Sequence, residues 1–233
     1  MHKTEAIVLY KQLWKESSFF VYLMTPDHGV IQAIAQGARK PKSQFAAHFE
    51  IGNHLEIITT KNQSVNICKL TSSTVIAQFD SIGKSYTHLL CIQSVFEVYR
   101  QLIFATEESE NFFNLLKTFI EYILTVKSNH LLVIWRFFFR LTNELGFPIV
   151  SFDGDTFRIN DRKPFLNKHD ENFLDIVDSW LNLLPSTSRL INEENILNSS
   201  CKDVNTFIFE WFEFNLQKKI QYKALKLYED ELN

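Results

Sequence analysis

Phe19-Phe20-Val21-Tyr22-Leu23-Met24-Thr25, then Pro26-Asp27-His28-Gly29, then Val30-Ile31-Gln32-Ala33-Ile34-Ala35-Gln36: the fold is decided in this stretch. The first run is rich in β-branched and aromatic residues, as strands are. The next four residues are turn chemistry, with Pro and Asp early and Gly last. In the third run Ile31, Ala33 and Ala35 share one face while Gln32 and Gln36 take the other, the period-2 pattern of a half-buried strand. On the N-terminal side, Glu5 to Lys11 is another short strand-like run. On the C-terminal side, Leu55 to Thr60 and Val65 to Leu70 form a hairpin around Lys61-Asn62-Gln63-Ser64, and Thr74 to Phe79 is a sixth strand. Short strands at this density cannot cover both faces of an open sheet without another layer, and a small closed or partly closed barrel solves that problem.

After Gly83 the apolar period lengthens to that of a helix. Leu89, Ile92, Phe96, Tyr99 and Ile103 form one stripe; Phe112, Leu116, Phe119, Ile123 and Val126 a second; Leu131, Ile134, Phe138, Leu141 and Leu145 a third. The third helix stops at Gly146, with Pro148 beyond it. Residues 151–165 read as a loop or small hairpin around Asp153-Gly154, and residues 169–184 and 203–229 as helices, the last with Asp203 as N-cap. The fold class is α+β: a small β-barrel over residues 1–80, followed by a helical domain over 81–233.

Composition is that of a globular chain, with 45% hydrophobic and 22% charged residues among 233, which excludes disordered and collagen-like classes. Phe is abundant (22) and Gly scarce (6), enough rings to fill cores and leave some for partners. The net charge of −3 argues against a protein coated in nucleic acid, but it conceals an asymmetry. Residues 1–84 hold nine Lys and Arg against six Asp and Glu, net +3, and the remainder is net −6. No apolar run is long enough to span a membrane, and Ala6 to Tyr10, preceded by Glu5, is too short and too acidic for a signal peptide. Cys68, Cys91 and Cys201 lie far apart with no CxxC, which argues against a disulfide framework or a cysteine-rich zinc site and for a reducing, cytoplasmic address.

Several catalytic motifs fail on spacing. Gly83-Lys84-Ser85 resembles the end of a phosphate-binding loop, but Gln78 stands where that motif requires Gly, so the segment reads as a polar helix start. Asp153, Asp155 and Asp161 lack the pattern and the bidentate Glu of a calcium loop. The seven His residues have no metal-ligand spacing, and His48 and His54 read as barrel-edge or loop residues. No acid, base, nucleophile or metal set converges, so no enzyme activity, cofactor or metal is expected.

Three features remain. Gly37-Ala38-Arg39-Lys40-Pro41-Lys42-Ser43 places three cations directly after a strand, with Pro41 expected to keep the backbone extended and the side chains fanned toward phosphates. Lys11, Lys15, Lys61 and Lys69 extend this patch. The bland counterpart is a solvated basic loop that protects a barrel edge. On the helix from His130 to Leu145, the core stripe is complete without Phe137, which is expected to project between Arg136 and Arg140 as a receptor for an acidic peptide ending in an aromatic residue. The alternative is a helix buried on nearly all sides. The C-terminal helix carries Lys218, Lys219, Lys223 and Lys226 around Leu216, Ile220, Ala224 and Leu227, an amphipathic pattern that a packed face with solvated lysines explains.

The order Ala6-Ile7-Val8-Leu9, Lys15-Glu16-Ser17, Leu23-Met24-Thr25, Gly29-Val30-Ile31, Ala35-Gln36-Gly37-Ala38-Arg39-Lys40 and Ser43 resembles the RecO family of bacterial DNA-repair and recombination proteins, as does the stop Leu145-Gly146-Phe147-Pro148. The resemblance extends along the whole length and is strongest over residues 5–43 and 131–148. It implies an N-terminal OB-fold barrel and a helical domain. It also implies binding to single- and double-stranded DNA, annealing of complementary strands, and help in loading the RecA recombinase onto DNA covered by single-strand-binding protein, together with RecR. It assigns the Arg39, Lys40 and Lys42 loop to DNA, and Arg136 to the acidic, Phe-ended tail of single-strand-binding protein. Many members carry four zinc-binding cysteines after the helix stop. Here residues 147–167 have none, so this zinc-finger-like segment is expected to hold no metal. Near a Lys-Ser pair usual in the family's last helix stands Gln221-Tyr222. The reading is a non-catalytic DNA-binding mediator without membrane or small-molecule ligands, located in the cytoplasm with the nucleoid. The alternative is a protein-interaction adaptor that does not bind nucleic acid itself.

Overall fold

The computed structural model describes residues 1–45, 47–61, 67–79, 81–103, 109–127, 130–153, 156–159 and 194–232. Five strands, β1 (His2–Trp14), β2 (Ser18–Thr25), β3 (Gly29–Ala35), β4 (His54–Lys61) and β5 (Ile67–Ala77), close into a barrel in the order β1-β2-β3-β5-β4. β1 pairs antiparallel with both β2 and β4, and β3 pairs parallel with β5. This five-stranded closure with one parallel pair is the OB fold. The expected fifth and sixth strands are one. β5 is eleven residues long and bends around the barrel, and the register shifts between His54 and Leu55 and between Ile58 and Thr59 let it turn without a break.

Ala6, Val8, Val21, Leu23, Ala33, Ala35, Leu55, Ile57 and Leu70 fill the barrel, and Phe45 and Phe49, with ring centroids 5.7 Å apart, belong to the same core. The run Ala6-Ile7-Val8-Leu9 does not alternate, because its outer face is covered as well: Ile7 and Leu9 are fully buried. Helix α1 (Tyr86–Leu102) lies against β1, and α2 (Ser109–Ile123) against β2 and β3. A strand buried on both faces reads as continuous apolar sequence. Ser85 caps α1 by accepting from the His88 amide at 3.2 Å, so Gly83-Lys84-Ser85 is a polar helix start.

The chain forms two compact units. The first contains residues 1–126 and 221–228, and so joins the barrel to α1, α2 and the beginning of the last helix. Here the Arg100 guanidinium stacks 4.3 Å from the centroid of the Tyr10 ring, and its burial holds its pKa below the usual arginine value although Glu97 acts in the opposite direction. The Tyr99 hydroxyl donates to the Phe112 carbonyl at 3.1 Å, tying α1 to α2.

The second unit contains residues 127–220 and 229–233. Helix α3 (His130–Glu144) ends in a Schellman motif. Gly146 has φ +82°, its amide donates to the Asn143 carbonyl, and the Phe147 amide donates to Thr142, both at 3.0 Å. Strands β6 (Val150–Asp153) and β7 (Thr156–Ile159) make the expected small hairpin. Helix α4 (Glu194–Leu216) runs straight through Asp203, which is therefore not an N-cap. The expected single C-terminal helix breaks after Leu216, where Gln217 adopts a positive φ of 49°, and resumes as α5 (Lys223–Leu232). Lys218 and Lys219 consequently sit in a connection. Ile220 and Ala224 of the expected stripe are buried and the four lysines exposed, but within α5 it is Leu225 that is buried while Leu227 is half exposed. The helix expected over 169–184 and residues 154–155 and 160–167 of the zinc-finger-like segment lie outside the described residues.

Candidate nucleic-acid interface

The β1–β2 hairpin ends in the turn Lys15-Glu16-Ser17, which the β3 exit crosses. Gly37, at φ +71°, turns the chain out of β3, and its amide donates to Ser18 Oγ at 3.2 Å. The Arg39 amide donates to the Ser17 carbonyl at 2.9 Å, Lys40 to Gly37 at 3.1 Å and Ser43 to Lys40 at 2.9 Å. Gln44 Nε2 reaches the Thr71 carbonyl of β5 at 3.1 Å. The loop is thus a chain of fixed turns rather than the extended segment expected from Pro41: local backbone hydrogen bonds specify its path, and Pro41 is accommodated at a turn position.

These segments enclose an open groove of about 900 Å³, lined among others by Lys15, Lys40, Lys42, Lys69, Ser43 and Gln44. All four lysines are exposed. Among the described residues none of the four forms an ion pair, whereas Lys3 and Lys11 do. Among the described residues Glu16 is the one carboxylate lining the groove. Lysine ammonium groups with no fixed counter-charge, around a concavity with hydroxyl and amide donors, are suited to a polyanion backbone.

The expected cations separate into two classes. Lys15, Lys40, Lys42 and Lys69 come together. Arg39 and Lys11 do not join them. Arg39 Nη1 donates to the Glu16 carbonyl at 3.1 Å, so this side chain braces the loop against the hairpin. Lys11 pairs with Glu50 at 2.7 Å and lies over the Phe19 ring at 5.5 Å. Lys69 lies on a strand about 30 residues from the loop, and the parallel β3–β5 pairing (Ile34 to Lys69) brings it there. Trp14, 37% exposed next to Lys15, was not anticipated; its indole lies 5.8 Å from the Phe20 ring.

The second expected site is corrected. Phe137 is 4% exposed and does not project from α3; its ring meets Phe138 edge-on at 5.9 Å. Phe139 is buried as well. Within this unit Phe138 packs against Phe209 and Phe212 of α4, and Trp135 donates to Asn205 Oδ1 at 2.6 Å. A helix with two apolar faces has no receptor ring to spare. Arg140 is exposed, while Arg136 is half buried and already engaged.

A five-stranded OB barrel carrying a lysine-lined groove and followed by helices defines the class. Residues 1–79 match the family described as "Recombination protein O N terminal". The chain is similar to the DNA repair protein RecO of Chloroherpeton thalassium (26% identity over 64% of this chain and 58% of the relative), and to those of Chlorobium limicola (27%, over 62% and 56%) and Dehalococcoides mccartyi strain 195 (31%, over 47% and 42%). The chain thus spans little more than half the length of the first two relatives. Among the described residues no helix is long and apolar enough to cross a membrane.

Proposed function

We propose that the chain is a non-catalytic DNA-binding mediator of recombinational repair. Residues 1–80 form its DNA-binding domain and residues 81–233 its partner-binding domain, acting at the nucleoid in the cytoplasm. The groove walled by Lys15, Lys40, Lys42 and Lys69 carries this reading. Two strands that anneal must first approach against their mutual repulsion, and cations along a groove lower that repulsion without reading sequence. An exposed indole adjacent to Lys15 in sequence, Trp14, offers weak stacking that releases bases to their complement. Relatives described as DNA repair proteins support the same process. Loading of recombinase onto DNA covered by single-strand-binding protein, with RecR, and recognition of that protein's acidic tail by Arg140 on α3 complete the proposal.

A salt titration of single-stranded oligonucleotide binding tests it. Affinity should fall linearly with salt on logarithmic axes, with a slope near −0.7 per phosphate neutralised. Absence of binding at low salt would leave the adaptor reading in its place.

A further inference from the structure

At the other end of the β1–β2 hairpin from the lysine groove, three side chains converge that sequence spacing keeps apart. His2 opens β1, and Asp27 and His28 lie in the β2–β3 turn. One nitrogen of each imidazole and one carboxylate oxygen all lie within 4.8 Å of one another. His2 Nε2 contacts Asp27 Oδ2, and the two imidazole centroids are 4.7 Å apart. We propose that His2, Asp27 and His28 form a surface site for a zinc(II) ion.

The donor set is borderline in softness, two nitrogens and one oxygen, which suits zinc and its late transition-metal neighbours and not magnesium or calcium. Three protein ligands leave a fourth position for water, so the site is open to solvent and exchangeable, unlike a closed structural cysteine site. The ligands are held in advance by the barrel. The Thr4 hydroxyl donates to Asp27 Oδ1 at 2.8 Å, which turns Oδ2 toward the imidazoles as an outer partner of a metal ligand does. The turn itself is fixed: Thr25 Oγ1 donates to the Gly29 carbonyl at 3.0 Å and accepts from the His28 amide at 3.2 Å. All three ligand residues are exposed, so the ion has access and substitution leaves the core intact. Bound zinc would join the start of β1 to the β2–β3 turn and so act on the folded barrel alone.

The experiment titrates zinc chloride into chelator-dialysed, untagged full-length chain by calorimetry and follows the thermal midpoint alongside. The wild type should bind one zinc per chain and unfold at a higher temperature with zinc. The His2→Ala, His28→Ala double variant should lose both effects, and Thr4→Val, which keeps all three ligands, should weaken binding by about tenfold. Far-ultraviolet dichroism identical to wild type establishes that the variants fold. Superimposable zinc titrations of wild type and double variant, or an equal rise of both midpoints, would overturn the site. So would calcium binding there as tightly as zinc.

Discussion

The groove and α3 both carry cations beside aromatic residues, yet they are built oppositely. In the groove Lys15, Lys40 and Lys42 stand on turns and Lys69 on β5, the Gly37 amide donates to Ser18 Oγ and the Arg39, Lys40 and Ser43 amides to turn carbonyls, and the lysine heads are left to solvent. On α3 the backbone is satisfied by the helix itself, and the side chains are the packing material: Leu131, Ile134, Trp135, Phe137, Phe138, Phe139 and Leu141 are all buried. A surface fixed through its main chain can spare its side chains for a ligand, and a helix fixed through its side chains cannot.

The largest expected effect tests that contrast on α3. Phe137→Ala should destabilise the chain by about 3–5 kcal/mol, the range for deleting a buried ring. An exposed receptor ring would lose no more than about 0.5 kcal/mol. Urea unfolding of the variant distinguishes the two, and a midpoint equal to wild type would return Phe137 to the surface.

The next effect tests the groove. Replacing Lys15, Lys40, Lys42 and Lys69 together with Ala should flatten the logarithmic salt dependence of single-strand binding by about 3, at roughly 0.7 per lost phosphate contact. Binding should weaken on unrelated sequences alike, because phosphate contacts carry no base information. Arg39→Ala should change the slope little, since its guanidinium is committed to the Glu16 carbonyl. A full loss of slope from Arg39 alone would mean that Arg39 leaves this bond to meet DNA.

Much of the barrel was legible in the sequence because strand, turn and strand each leave a local signature. Gly29 takes positive φ where turn chemistry called for it, whereas Gly37 does so at the start of a loop expected to be extended. Gly146 does the same where the helix stops. What could not be read locally was pairing. The join of two expected strands into β5 depends on shifts against β4, and the place of Lys69 depends on a parallel neighbour. The His2, Asp27 and His28 cluster was hidden for the same reason, since its members meet only through the antiparallel β1–β2 ladder. The charge of the loop was legible, but which cations remain available was not: Arg39 and Lys11 match the others in sequence and differ only in finding the Glu16 carbonyl and Glu50. The stripe of Leu131, Ile134, Phe138, Leu141 and Leu145 accounts for one core face of α3 by itself, while the folded helix buries a second face that holds Phe137.

A smaller effect concerns the cations of α3. Arg140 is exposed, so Arg140→Glu should weaken binding of an acidic, Phe-ended peptide by about 1.5–3 kcal/mol, the contribution of a charge-assisted hydrogen bond. Binding to naked DNA and thermal stability should stay at wild-type values. Arg136→Glu is the less clean variant, because Arg136 is half buried and its replacement also disturbs packing. Calorimetry with unchanged peptide affinity for Arg140→Glu would remove α3 from partner recognition.

The smallest effect lies at the lip of the groove. Lys15 holds φ +51°, a left-handed conformation that disfavours any residue with a Cβ. Ala at this position keeps that cost, roughly 1–2 kcal/mol, and Gly removes it. Gly in turn loses about 0.5–1 kcal/mol more to the freedom of its unfolded chain. The steric term is the larger, so Lys15→Gly should be more stable than Lys15→Ala by about 0.5–1 kcal/mol. Both lose the same ammonium group and should therefore lose the same increment of DNA salt slope, near 0.7. Stability and binding thus separate at one position: the backbone term distinguishes the two variants and the charge term does not. Equal unfolding midpoints for Gly and Ala would mean that the turn leaves the left-handed region when Lys15 is replaced. Unequal salt slopes would mean that its backbone shape, and not its charge alone, forms the groove.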